Sequence, residues 1–159
     1  MIRKFSPEDK DSVIGILNYY VQHSFAAYPE EDFNYDTLKG LFELPEIYPF
    51  YVIEIAGKVI GFGLLHPHLK MSTFRHTAEV TYFILPEYTA QGLGSKLLDM
   101  LLVDANKNGL EVILASISSF NTVSLNFHRK YGFEECGRFK KIGKKFNKNF
   151  DVVWMQKFL

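Results

Sequence analysis

The sequence predicts an α/β fold, a mixed sheet with flanking helices. Three observations lead there. A chain of 159 residues amounts to one domain, residues 1–159, at about 150 residues per domain. A composition that is 47% hydrophobic, 16% aromatic and 23% charged can build a sizeable core and is unlike disordered, collagen-like or disulfide-framed chains. The middle of the chain reads strand, helix, strand, and such a unit brings at least one parallel pair into the sheet.

Taken in order, residues 2–5 form a short strand. Ser6 is the N-cap of a helix, with Pro7 at its first position and Asp9 three residues after the cap. Val13, Ile14, Leu17, Tyr20 and Val21 follow at helical spacing. Residues 25–33 are a loop of aromatics and acids, and a second short helix over 35–42 stops before Pro45. Residues 50–55 and 59–66 pair as a hairpin around Ala56-Gly57-Lys58. A strand over 78–85 and a loop over 86–91 lead into a helix over 92–106. That helix carries Leu93, Leu97, Leu98, Leu101, Leu102 and Ala105 on one face and stops at Asn108-Gly109. Residues 112–117 read as a buried strand. Asn121 caps a helix through Tyr131, Gly132 ends it, and strands over 133–140 and 151–158 complete the order.

Charge and cysteine content exclude several functions. Lys plus Arg and Asp plus Glu are both 18, so no global positive field draws the chain to nucleic acid. The basic cluster Lys140, Lys141, Lys144, Lys145 and Lys148 reads as a solvated hairpin. One cysteine, Cys136, permits neither an intrachain disulfide nor a multi-cysteine metal cluster. His66, His68 and His76 lack carboxylates or cysteines at ligand spacing, so no metal is expected. No strictly apolar run exceeds four residues, and no secretory signal opens the chain, so the expectation is a cytoplasmic protein without membrane partners.

The most informative segment is Tyr82-Phe83-Ile84-Leu85-Pro86-Glu87-Tyr88-Thr89-Ala90-Gln91-Gly92-Leu93-Gly94-Ser95. A strand ends, a loop with two glycines follows, and a helix starts. Its first N–H groups and its dipole make an anion site suited to a pyrophosphate. Gly94 is followed by Ser95-Lys96 rather than Lys-Ser/Thr, which excludes a P-loop. Leu97 stands where a dinucleotide fingerprint has its third glycine.

Further pieces follow in fixed order: Ser24-Phe25, Phe74-Arg75-His76-Thr77-Ala78-Glu79, and Asn121-x-x-Ser124-x-x-Phe127-His128-x-x-Tyr131-Gly132-Phe133. The tail adds Gly143-Lys144 and Asp151-Val152-Val153-Trp154-Met155-Gln156. On these residues, spanning most of the chain, the protein resembles the GNAT superfamily of acyl-CoA-dependent N-acyltransferases, and within it the phosphinothricin-acetyltransferase branch. The resemblance implies a mostly antiparallel sheet splayed at one parallel pair. It implies acetyl-CoA as co-substrate, with the backbone of Tyr82, Phe83 and Ile84 along the pantetheine arm. The amides of Ala90, Gln91, Gly92, Leu93, Gly94 and Ser95 would hold the pyrophosphate, and Asn121 would reach the arm. Glu79 occupies the acidic position that removes the amine proton, directly or through a water. His128 stands where many members have the tyrosine that protonates the departing thiolate. Phe25, Phe74 and Arg75 fall at substrate-binding positions, and Tyr28 and Phe33 wall the pocket with Phe25.

The resemblance thus implies direct acetylation of the α-amino group of a small amino acid or analogue, by a homodimer. Two residues depart from the pattern: Thr89 replaces the usual Gln or Arg before the glycines, and Ala26 replaces the branch's Glu after Ser24-Phe25. A peptide N-terminus as acceptor and a non-catalytic acyl-CoA sensor are the rival readings; retention of both Glu79 and His128 opposes the second.

Overall fold

A computed structural model describes residues 1–159. At the N-terminus, β1 (Ile2–Lys4) leads to a 3-10 turn over Pro7–Asp9. There the Asp9 carboxylate accepts from the Ser6 N–H at 2.8 Å and from both terminal nitrogens of the Arg3 guanidinium at 2.8 Å. The Arg3 pairing holds the Asp9 carboxyl below its ordinary range against the opposing effect of burial. The chain continues as α1 (Lys10–His23), which buries Val13, Ile16, Leu17 and Val21. After the loop comes α2 (Tyr35–Phe42), capped by Asn34, whose side chain accepts the Thr37 N–H at 3.0 Å.

Seven strands form one sheet. After β1 come β2 (Phe50–Ile55), β3 (Lys58–Pro67), β4 (Thr77–Ile84), β5 (Val112–Ser118), β6 (Glu134–Lys145) and β7 (Lys148–Phe158), in the spatial order β1-β2-β3-β4-β5-β7-β6. Every pairing is antiparallel except β4 with β5, which is parallel and short: Thr77, Ala78 and Glu79 face Val112, Ile113 and Leu114. Helix α3 (Leu93–Lys107) makes that crossover, and α4 (Thr122–Lys130) lies between β5 and β6. This is the mixed sheet with one parallel pair that the strand–helix–strand reading implied.

The sheet has a core on each face. On one, Leu97, Leu98, Leu101 and Ala105 of α3 and Leu125 of α4 pack against Ala78, Val80, Ile84, Ile113, Ala115 and Ile117. On the other, α1 and Leu38 of α2 cover Val52, Phe62 and Leu64. Side chains alternate along a strand. So Ala78, Val80, Tyr82 and Ile84 face α3 and α4, while Glu79, Thr81 and Phe83 face α1.

The C-terminal hairpin is longer than its sequence suggests. Strands expected over 133–140 and 151–158 extend to a two-residue turn at Phe146-Asn147, both at positive φ (49° and 60°). Such a turn normally announces itself as Asn-Gly or Asp-Gly, which is why Phe-Asn conceals it. The β2–β3 turn at Ala56-Gly57 has the same geometry. No helix is long and apolar enough to cross a membrane.

Candidate active site

The site begins where β4 and β5 separate. Pairing stops after Glu79, and the two strands diverge into a wedge. On its other side, β4 stays bonded to β3. The Leu85 N–H reaches the Ile60 carbonyl at 2.9 Å, and antiparallel alternation then gives Phe83's own N–H and C=O to the β3 ladder opposite Phe62. The backbone groups of Tyr82 and Ile84 are left on the open edge. Phe83 itself packs against Phe62 and Tyr20. The Tyr20 hydroxyl donates to the Ile84 carbonyl, a contact the sequence did not disclose.

Beyond β4, a short 3-10 turn over Pro86–Tyr88 precedes α3. Gly92, the residue before the helix, sits in the left-handed region (φ 78°), and Ala90 does so without being glycine (φ 59°). Gln91 through Ser95 donate no backbone hydrogen bond within the protein. A Cβ on Gly92 would meet nothing within 4 Å, and one on Gly94 would come no closer than 3.7 Å to Ile84. Packing therefore does not demand glycine at either position. Backbone conformation does at Gly92, and at Gly94 the missing side chain leaves the amides open to a ligand. The row of free N–H groups at the start of a 15-residue helix suits the pyrophosphate of a coenzyme A ester. Asn121 caps α4 by accepting the Ser124 N–H at 3.1 Å, which leaves its amide NH₂ free.

On the α3–α4 face, Tyr82 and His128 span the wedge. The His128 Nδ1–H donates to the Ser124 carbonyl at 2.7 Å, so Nε2 accepts the Tyr82 O–H at 2.6 Å. The rings stack at 5.6 Å. His128 is 3% exposed. Burial lowers its affinity for a proton, partly offset by the Ser124 bond, and burial pushes the Tyr82 phenol far up. Both groups rest neutral. The imidazole is thus the acceptor of a buried pair with Tyr82, on the α4 side of the wedge.

On the α1 face, Glu79 meets two histidines. Its Oε1 lies 2.7 Å from His68 Nδ1 and its Oε2 4.0 Å from His66 Nε2. His66 follows from the β3–β4 register, which sets it opposite Glu79; the sequence reading found no carboxylate near these histidines because spacing along the chain does not show cross-strand neighbours. No three His, Cys, Asp or Glu side chains are grouped to hold a metal ion. The His68 ring stands edge-on to Phe74 (6.2 Å) and to Trp154 (6.0 Å). Trp154 lines a cavity of about 480 Å³ with Tyr28, Ser116, Phe139, Lys144 and Phe150, among others. Tyr28 hydrogen-bonds Ser116 at 2.8 Å, and burial raises its phenol. Phe25 packs against Phe120, Phe146 and Phe150. Arg75, in contrast, is exposed and makes no ion pair.

One basic residue departs from the sequence expectation. Lys145, expected on a solvated hairpin, is 0% exposed. Its Nζ donates to the Ser24 carbonyl at 2.7 Å and the Ala27 carbonyl at 2.6 Å. The two-residue turn folds β6 back onto the 24–27 loop and seals the ammonium there. Desolvation lowers its proton affinity while Glu30 opposes this. Lys145 thus ties the aromatic loop to the hairpin that completes the cavity.

Comparison with known proteins matches residues 9–133 to the acetyltransferase (GNAT) family. The L-amino acid N-acyltransferase of Escherichia coli K12 is 31% identical over 157 residues, covering 98% of this chain and 91% of that protein. The L-methionine sulfoximine/L-methionine sulfone acetyltransferase of Salmonella typhimurium is 29% identical, covering 98% and 92%. Among solved structures, a ribosomal-protein-alanine N-acetyltransferase from Brucella melitensis superimposes with a TM-score of 0.93 at 30% identity, covering 100% of this chain and 99% of that one. A phosphinothricin acetyltransferase from Sinorhizobium meliloti in complex with acetyl-CoA gives 0.93 at 26% identity, covering 100% and 88%.

Proposed function

From the premise that this chain belongs to the GNAT acetyltransferase family, we propose that it moves the acetyl group of acetyl-CoA directly onto the α-amino group of a small amino acid or analogue. One observation carries the reading. The wedge between β4 and β5 opens at Glu79, between unpaired helix-start amides on one side and an aromatic cavity on the other. The pyrophosphate rests on the amides of Ala90 to Ser95, and Asn121 offers its free NH₂ to the arm. The arm runs along the open edge of β4, where the backbone groups of Tyr82 and the Ile84 N–H are free and the Ile84 carbonyl is held by Tyr20. This delivers the thioester to the mouth of the wedge, beside Glu79.

An α-amino group ordinarily titrates at about 7.7–8.0, so only modest help is needed to free its lone pair. Glu79 supplies that help, directly or through an intermediary, and a backbone amide near Ile84 stabilises the oxyanion. Phe25, Phe74 and Tyr28 wall the acceptor, and Arg75, exposed on the loop before β4, is the cation that takes its carboxylate. The relatives named for L-amino acids and for methionine sulfoximine support an amino-acid acceptor. We place the reaction in a cytoplasmic homodimer of one catalytic domain, needing no metal and no nucleic acid.

The test is free-thiol release from acetyl-CoA against a panel of amino acids, their sulfone, sulfoximine and phosphinate analogues, and short peptides. Release with free α-amino acids alone supports the proposal. Release only with peptides would replace it with acetylation of a peptide or protein N-terminus; the Brucella neighbour is named a ribosomal-protein-alanine N-acetyltransferase. Silence throughout, with acetyl-CoA still bound, would favour a sensor.

A further inference from the structure

We infer that His68 is the base that takes the amine proton, with Glu79 as the carboxylate behind it. The inference rests on the acetyl-transfer reading above and names the intermediary that Glu79 uses. His68 lies just past β3, and its Nδ1 is 2.7 Å from Glu79 Oε1. A carboxylate only accepts, so Nδ1 carries the hydrogen and Nε2 is left with its lone pair. Nε2 has no hydrogen-bond partner in the protein. By contrast, His66 is engaged at both nitrogens, with Thr81 Oγ1 at 3.3 Å and the Pro67 carbonyl at 3.3 Å.

The surroundings fit the role. The His68 side chain is 28% exposed and that of Glu79 20%, enough for a substrate to reach the ring. Phe74 and Trp154 both stand edge-on to the ring, and Trp154 belongs to the cavity wall. Glu79 is also the last β4 residue paired with β5, so the pair stands at the mouth of the wedge. A carboxylate that holds Nδ1–H fixes the tautomer, orients the ring and stabilises the imidazolium that forms.

The proton count closes. The substrate enters as an ammonium and passes one proton to His68 Nε2. The freed lone pair forms the C–N bond to the thioester carbon. The C–S bond breaks, its electron pair leaves on sulfur, and the nitrogen loses a second proton that balances the one the thiolate gains. His68 returns the first proton to solvent, so amide, coenzyme A and one proton are the products.

Two substitutions separate a base from an orienting residue. H68N keeps an N–H donor for Glu79 but offers no base; H68F offers neither. With acetyl-CoA and L-methionine sulfone as substrates, both variants should lose about 100-fold in kcat while acetyl-CoA affinity, read by calorimetry, stays put. Added imidazole should restore part of the H68F rate. If H68N keeps more than half the wild-type kcat, or imidazole restores nothing, Glu79 acts without His68 as base and the inference is overturned. If the wild type acetylates no amine yet binds acetyl-CoA, it is the functional reading that fails. The tautomer then decides for His68: ¹⁵N spectra showing a proton on Nδ1 and a bare Nε2 support the geometry, and a proton on Nε2 overturns it.

Discussion

At the level of single residues, the two faces of the sheet hold ionisable groups in opposite conditions. Glu79 is reachable from solvent and bonded to His68, whereas His128 is sealed and neutral. E79Q keeps an acceptor oxygen but loses the charge, and should lower kcat/KM for the amine by about 100-fold or more. Acetyl-CoA affinity, titrated calorimetrically, should not change. His128 should show in stability instead. Its imidazole takes a proton near pH 6.5 when unfolded but resists to lower pH when folded. Between those values the unfolded chain holds the extra proton, so stability is full above about 6.5 and declines as the pH falls through that window. Urea unfolding at steps from pH 7.5 to 5 should reveal the decline, and H128F should flatten it. Gly92 is constrained by backbone geometry rather than by space. G92A should cost about 1 kcal/mol of folding free energy, and acetyl-CoA affinity should fall with it because neighbouring amides lose their aim.

Among the elements, the buried Lys145 makes hairpin and loop one unit. K145M would leave the Ser24 and Ala27 carbonyls without their donor, costing about 1–3 kcal/mol. KM for the amine should rise more than kcat falls, with acetyl-CoA affinity retained; an unchanged KM would mean that the loop holds its shape unaided. What the sequence revealed and concealed also divides by element. Helix α2 matches its expected bounds of 35–42, because Asn34 and the 3.6-residue periodicity act locally. The α3 start was equally legible from its glycines. The two strands of the β6–β7 hairpin were legible but their far ends and turn were not, since the turn lacks glycine and β6 bulges at Cys136 and again between Phe139 and Gly143. Nor could local pattern reveal that Lys145 is interior, which depends on a loop 118 residues away. The Glu79–His66–His68 cluster arises from cross-strand register. The Tyr82–His128 pair arises from α4 folding back over the wedge.

For the molecule as a whole, ligand should act as a staple across the gap between β4 and β5. Acetyl-CoA at 100 times its Kd should add about 2.7 kcal/mol of stability, visible as a rise in Tm; no rise would remove the helix-start amides from the binding reading. The order of strands bears on how the molecule comes together in time. β7 follows β6 in the chain yet lies between β6 and β5, so β5 gains its second neighbour only when the C-terminal hairpin docks. Until it docks, β5, with Ile113, Ala115 and Ile117 at its core, presents an open edge, the kind of surface on which nascent chains stick to one another. The same late step brings Phe150 and Trp154 to the cavity. A newly made molecule therefore closes its most adhesive seam and acquires its acceptor wall in a single event, and chaperone demand and onset of activity should share one clock.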